Sequence, residues 1–256
     1  MSEYWIYFWV CSGALLAGFI DAVVGGGGLI QVPLLFVLFP QFSPVQAIAT
    51  NRFASVAGTS VAAFHYIRSV GVDASVVMAA GIASSITAFS GTFVMRLIAP
   101  DVFKPILLMV IVLLAIYTFI KKDFGIDHAP KYSGKKLWFV AAAIGAVIGF
   151  YNGFIGPGTG SLLMFAMVSV AGMSFLHASS YSKIINAISD TASLIGFILA
   201  KAIVYKVALP MMACNILGGY IGSKTAIKKG NNFIRYIFLL VIGILIIRLS
   251  KDIWYR

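Results

Sequence analysis

Four charged residues stand where an apolar chain makes charge costly. Between Tyr4 and Ile67 the only Asp, Glu, Lys or Arg residues are Asp21 and Arg52; between Leu137 and Ala200 they are Lys183 and Asp190. A charge inside a bilayer helix costs about 2.5–3.5 kcal/mol on insertion scales, so such a residue pairs, snorkels to a headgroup or serves a ligand. Arg52 and Lys183 occupy equivalent places in two similar halves of the chain. Two cations converging on one cavity would make an anion site. Lys183, Asn186 and Asp190 follow the i, i+3, i+7 spacing of one helix face, and Arg52, Ser55 and Thr59 repeat that spacing in the first half. Polar stripes of this kind, Ser189 included, either line a site or bind one helix to another.

A second pair of features is separated by the same offset as the two cations. Gly18-Phe19-Ile20-Asp21-Ala22-Val23-Val24-Gly25-Gly26-Gly27-Gly28 and Gly149-Phe150-Tyr151-Asn152-Gly153-Phe154-Ile155-Gly156-Pro157-Gly158-Thr159-Gly160 each put a glycine-rich break inside an apolar run. In a bilayer, broken backbone is tolerated only where protein buries it or it lines a cavity, and paired breaks in two halves point to a transporter's binding site. A helix starting after such a break exposes unpaired N–H groups and a positive dipole end, both suited to an anion. The backbone at Gly27, Gly28, Gly158, Thr159 and Gly160 is therefore a candidate substrate cradle, with hydroxyl donors at Thr159 and Ser161. Pro33 suits an early turn of the first such helix. Close helix packing through small residues is the competing reading of the glycines. No Gly-Lys-Ser/Thr follows either break, which excludes a phosphate P-loop. Asp21 and Asp190 either carry a coupling proton or pair with Arg52 or Lys183.

These residues need elements to hold them, and composition says which. The 256 residues are 61% hydrophobic and 11% charged, with a net charge of +11 and a mean hydropathy of +0.98. A soluble domain carries about 25% charged residues, so the chain reads as an all-α integral membrane protein in contact with the lipid bilayer. Basic residues gather at 121–136, 201–206, 224–235 and the C-terminus, between or after apolar runs. That pattern fits cytoplasmic loops and anionic headgroups and argues against nucleic acid. Apolar segments fall at 5–26, 29–39, 44–67, 74–97 and 103–120, then at 137–156, 160–171, 174–200, 203–226 and 233–250. Segments 29–39 and 160–171 are too short to span and read as half-helices after the breaks. The expectation is about eight transmembrane elements in two homologous four-element repeats: 1–120, a cytoplasmic linker at 121–136, and 137–256. The repeats are parallel if each broken segment crosses once and inverted if it is re-entrant.

Catalysis finds no support. No nucleophile–base arrangement, metal-ligand spacing or cofactor motif stands out around His65, His128 or His177, and Cys11 and Cys214 read as small buried hydrophobes. The expectation is a protein with no catalytic residues, no metal and no cofactor. Its small-residue faces suit a homodimer.

Several strings resemble a known family. Gly25-Gly26-Gly27-Gly28-Leu29-Ile30-Gln31-Val32-Pro33-Leu34-Leu35, Ala49-Thr50-Asn51-Arg52 and His65-Tyr66-Ile67-Arg68 resemble the first-half signature of the TauE/SafE membrane transporters. Gly156-Pro157-Gly158-Thr159-Gly160-Ser161, Ser182-Lys183-Ile184-Ile185-Asn186 and Leu217-Gly218-Gly219-Tyr220-Ile221-Gly222 resemble the second. The resemblance covers nearly the whole chain. It implies secondary transport, across the cytoplasmic (inner) membrane, of a small sulfur-containing anion such as sulfite or an organosulfonate. Relatives often carry Asp where this chain has Asn152 and Asn where it has Asp190, so a carboxylate has changed place. Joined to the reading of the residues, this gives a substrate between the two halves. Its oxygens meet the N–H groups named above, Arg52 and Lys183 balance its charge, and Asn51, Asn186 and Ser161 orient it. Asp21 or Asp190 is then the proton-linked group, and a passive anion channel is the alternative.

Overall fold

A computed structural model describes residues 3–94 and 125–254. The apolar segment 103–120 and the first four linker positions, 121–124, lie outside the described residues. Among the described residues the chain forms eight helices and no strand: α1 (Glu3–Val24), α2 (Gly27–Leu38), α3 (Pro44–Ser69), α4 (Ala74–Val94), α5 (Gly134–Phe154), α6 (Thr159–Ser169), α7 (Phe175–Leu199) and α8 (Tyr205–Trp254). Four stretches are long and apolar enough to cross a bilayer: Tyr4–Val24, Ala74–Val94, Gly134–Phe154 and Phe175–Leu199. The short apolar helices α2 and α6 follow the two breaks directly.

Local chemistry sets the boundaries. Ser43 caps α3, accepting from the Gln46 N–H at 3.2 Å while the Gln46 side chain accepts from the Ser43 N–H at 3.0 Å. Pro44 sits at the first helical position, where its missing N–H has no cost. Asp73 caps α4, its Oδ1 accepting from the Ser75 N–H at 2.9 Å and the Ser75 hydroxyl at 2.7 Å. Those bonds hold the exposed carboxyl below the usual carboxylate range. In α2, Pro33 falls in the second turn rather than the first. The segments at 203–226 and 233–250 join into one helical run, broken where Gly230 takes φ 70° and ψ −161°.

Packing is closest along two seams. α4 lies along α5, and α1 lies along α8. On α5, Gly145, Gly149 and Gly153 face Ala80, Ser84 and Ala88 of α4, backbone against backbone; Gly91 of α4 answers with its face on the Phe150 carbonyl. On the other seam Gly18 meets the Asn215 backbone, and Gly218 and Gly222 meet α1 at Leu15 and Phe19. In lipid there is no hydrophobic drive between helices, so such small-residue contact supplies the attraction. The small faces thus close the protomer on itself. α3 and α7 run between the seams and carry the polar stripes. Below them, Tyr66, Met164, Met167, Phe175 and Phe238 form a buried core. Trp5, Phe139, Val147 and Leu199 remain exposed, as a lipid-facing surface requires.

Two outcomes follow from this packing. A Cβ at Gly153 overlaps the Ala88 carbonyl, whereas one at Gly71 meets nothing within 4 Å. Gly153→Ala should therefore destabilise the detergent-solubilised protein by about 1–3 kcal/mol in thermal unfolding followed by circular dichroism, and Gly71→Ala should not. Asp73→Ala should cost at most about 1 kcal/mol. Because the folded carboxyl is depressed, that contribution is present at neutral pH and is lost as pH falls through the folded value, so the difference between wild type and variant should vanish in acid.

Candidate functional site

The two breaks touch. α1 ends as the chain turns through Gly25 at φ 78°, and α5 ends as it turns through Gly156 at φ 86° and Gly158 at φ 92°. These left-handed values favour glycine. A Cβ on Gly160 would lie 2.6 Å from Gly25 Cα, so the two strings meet with no side chain between them. The Ser161 N–H donates to the Gly25 carbonyl at 2.7 Å. The Ser161 hydroxyl reaches the Val24 and Gly25 carbonyls at 2.9 and 2.7 Å. Ser161 thus satisfies the carbonyls that the end of α1 leaves open.

Arg52 of α3 does the same for α5. Its Nη2 donates to the Asn152 carbonyl at 2.8 Å and its Nη1 to Asn152 Oδ1 at 2.8 Å. Nη1 also pairs with Asp190 Oδ1 of α7. Asn152 completes the cluster by donating to Asp190 Oδ1 and Ser189 Oγ, both at 2.8 Å. Asn186 donates to Asp190 Oδ2 at 3.0 Å. The Thr159 hydroxyl lies 2.6 Å from the Gly156 carbonyl and 2.9 Å from Asn152 Oδ1. The second cation is held more loosely. Lys183 Nζ lies 3.4 Å from Asp21 Oδ2, and the Thr59 hydroxyl donates to the same oxygen at 3.0 Å. Both acids are therefore in ion pairs, each with the cation from the other half of the chain.

Beside this contact lies a small, partly open cleft. Its wall brings together Gly28, Asn51, Arg52, Gly158, Thr159, Gly160 and Asn186 of the expected substrate set, and Asp21 and Asp190 of the expected proton-linked pair. Ile48, Ser55, Thr59, Gly156 and Pro157 also line it. Gly27, Ser161 and Lys183 lie behind the wall. Gly27 packs on the Ala17 carbonyl and Asp21 Cβ, Ser161 caps α1, and Lys183 is fully buried. Among the described residues, three buried polar atoms belonging to residues of the wall have no hydrogen-bond partner: Arg52 Nε, Asn51 Oδ1 and Asn186 Oδ1. Unpaired buried polar atoms cost about 1–3 kcal/mol each unless water or another partner meets them. Sequence reasoning assigned Asn152 no role beyond its departure from Asp; its signal was that it occupies, in the second half, the place of Asp21 in the first. Among the described residues no cluster of His, Cys, Asp and Glu could hold a metal ion.

Removing one partner of a buried pair leaves an uncompensated charge, which costs about 3–5 kcal/mol. Asp190→Ala should lower unfolding stability in detergent by that order. Adding Arg52→Gln to Asp190→Ala should recover part of the loss, because the stranded guanidinium is then gone.

Comparison with known proteins agrees with a transporter. The family model described as Sulfite exporter TauE/SafE matches residues 10–249. A Sinorhizobium sp protein named "Probable membrane transporter protein ORF9" is 31% identical over 239 residues, covering 93% of this chain and 90% of that protein. Escherichia coli (strain K12) "Probable membrane transporter protein YfcA" is 30% identical over 240 residues, covering 93% and 87%. A Haemophilus influenzae "Probable membrane transporter protein" is 33% identical over 225 residues, covering 88% and 86%. No solved structure matches the chain. With its apolar helices, glycine breaks and family match, the chain is a multi-pass membrane protein belonging to the sulfite exporter TauE/SafE family of membrane transporters.

Proposed function

We propose that the protein is a secondary transporter of the cytoplasmic membrane that carries a small anion, sulfite or an organosulfonate, through the cleft beside the two breaks. The observation that carries this reading is Arg52. Its Nη groups are fixed by Asn152 and Asp190, while its Nε–H, in a residue of the cleft wall, has no partner among the described residues. Gly28, Gly158 and Gly160 line the same wall without side chains, so an anion can approach their backbone. Lys183 stands behind Gly160, where a Cβ would come within 3.2 Å of Nζ. It adds positive potential across a residue that offers no obstruction. The name of the matching family supports a sulfur oxyanion as cargo.

The same reading takes the chain as two repeats of four elements, each with one broken helix. Supporting it, several contacts recur when both partners are replaced by their counterparts in the other half. Gly18 on Asn215 corresponds to Gly149 on Ser84, and Gly222 on Phe19 corresponds to Gly91 on Phe150. Lys183 against Asp21 corresponds to Arg52 against Asn152. Eight elements follow if each broken helix counts once, the 103–120 segment counts as one, and α8 counts as two on either side of Gly230.

Uptake into proteoliposomes tests the proposal. Labelled sulfite or a short-chain sulfonate should accumulate beyond equilibrium when a pH gradient is imposed, which a passive pore cannot do. Arg52→Ala should lower the initial rate by at least about tenfold, the scale of one hydrogen bond to a charged group. Wild-type rates in both Arg52→Ala and Lys183→Ala would remove the cations from the mechanism.

A further inference from the structure

We infer that the two ion pairs have different tasks: Asp21 is the carboxylate that takes up and releases the coupled proton, and Asp190 is the permanent counter-ion of Arg52. This rests on the transport reading above and assigns the coupling site within it.

The two polar groups are built to one plan. Lys183 stands with Asp21 and Thr59; Arg52 stands with Asn152 and Asp190. Asp21 and Asn152, Thr59 and Asp190, and Arg52 and Lys183 are counterparts in the two halves, all separated by one common offset. Each group holds one cation, one carboxylate and one neutral polar side chain. What differs is where the carboxylate sits: on broken helix α1 in one group, on unbroken helix α7 in the other.

Surroundings then separate the two acids. Asp190 is 2% exposed, and donors from three helices converge on it. Arg52 Nη1 and Asn152 Nδ2 meet Oδ1, and Asn186 Nδ2 meets Oδ2. Oδ1 is saturated by two donors and Oδ2 already accepts one, so three of the roughly four acceptor positions of this carboxylate are taken. Asp21 is the opposite case. Both acids line the cleft, but the Asp21 side chain is 14% exposed against 3% for that of Asp190. Only Oδ2 is engaged, by the Thr59 hydroxyl and the distant Lys183 ammonium; among the described residues no donor meets Oδ1. Oδ1 is thus open to a proton delivered by water in the cleft. Other charged or titratable groups around Asp21 are Lys183 and Asp190 on α7, and Arg52 and Tyr66 on α3. Tyr66 is committed to donating to the Ala22 carbonyl at 3.1 Å. α2 and α6 contain no charged residue, and α8 meets α1 beside Asp21 through Gly222, on Phe19 and Ala22.

Charge fixes the consequence. When Asp21 takes a proton, the Lys183 ammonium loses its counter-charge and the cleft gains one positive charge. A monovalent anion restores neutrality. Proton and anion therefore enter together, and the carboxylate returns to the ammonium when both have left. The cycle moves one proton with each monovalent anion and leaves no net charge behind.

Two measurements on the full-length protein test the assignment. In proteoliposomes, Asp21→Asn should abolish accumulation driven by a pH gradient, and the labelled-for-unlabelled sulfite exchange that it retains should lose its dependence on pH. Asp190→Asn should depress both. In infrared difference spectra without any substrate, acidification of wild type should raise carboxylic-acid C=O intensity of which one component, beyond that of surface acids such as Asp73, is absent in Asp21→Asn and kept in Asp190→Asn. An acidification spectrum unchanged by Asp21→Asn, or wild-type accumulation by that variant, would overturn the inference. If wild type moves neither sulfite nor sulfonates, the transport proposal fails alone, and the infrared bands still decide where the proton binds.

Discussion

Backbone broken inside an apolar protein must find partners for its free carbonyl and N–H groups, and this constraint organises the molecule. The solution is reciprocal. Ser161, at the start of α6, satisfies the carbonyls at the end of α1, and Arg52 of α3 satisfies the Asn152 carbonyl near the end of α5. Each broken helix is finished by a residue from far along the chain. That requirement brings Gly25 and Gly160 into backbone contact, leaves no room for a Cβ at either, and positions the cleft beside the contact.

Capping and charge pairing are joined through Arg52. A guanidinium has enough donors to serve a carbonyl, an amide oxygen and a carboxylate at once, which an ammonium's compact geometry would not match. Lys183 has a simpler task and a longer, less saturated contact. The two cations therefore hold equivalent places in the two halves yet differ in rigidity. The helices that carry them, α3 and α7, are held between seams of small residues, so their stripes stay aimed inward.

Much of this was legible in the sequence. The breaks stand out because glycine strings in long apolar runs have few other uses, and α6 begins at Thr159, one residue ahead of the segment expected at 160–171. The i, i+3, i+7 spacing put Lys183, Asn186 and Asp190 on one face, and they do share it. What spacing does not carry is the rotation of one helix against another. Hence Lys183 and Ser161 lie behind the cleft wall rather than on it. Asp21 was open to either cation and meets Lys183, a partner 162 residues away. Asn152 could not be recognised as a hub, because its four partners come from α3, α6 and α7 and only packing assembles them. The gap expected between 226 and 233 narrows to Gly230 for a different reason: one glycine among polar residues reads as a loop, whereas the backbone resumes helix at once.

The balanced pairing of Arg52 with Asp190 and Lys183 with Asp21 also bears on voltage. Each elementary charge carried across a membrane is worth about 2.3 kcal/mol per 100 mV. A site of lone cations would be drawn electrophoretically toward the negative side whenever it emptied. Two cations matched by two carboxylates sum to zero, so a membrane potential exerts no net pull on the cluster as a whole.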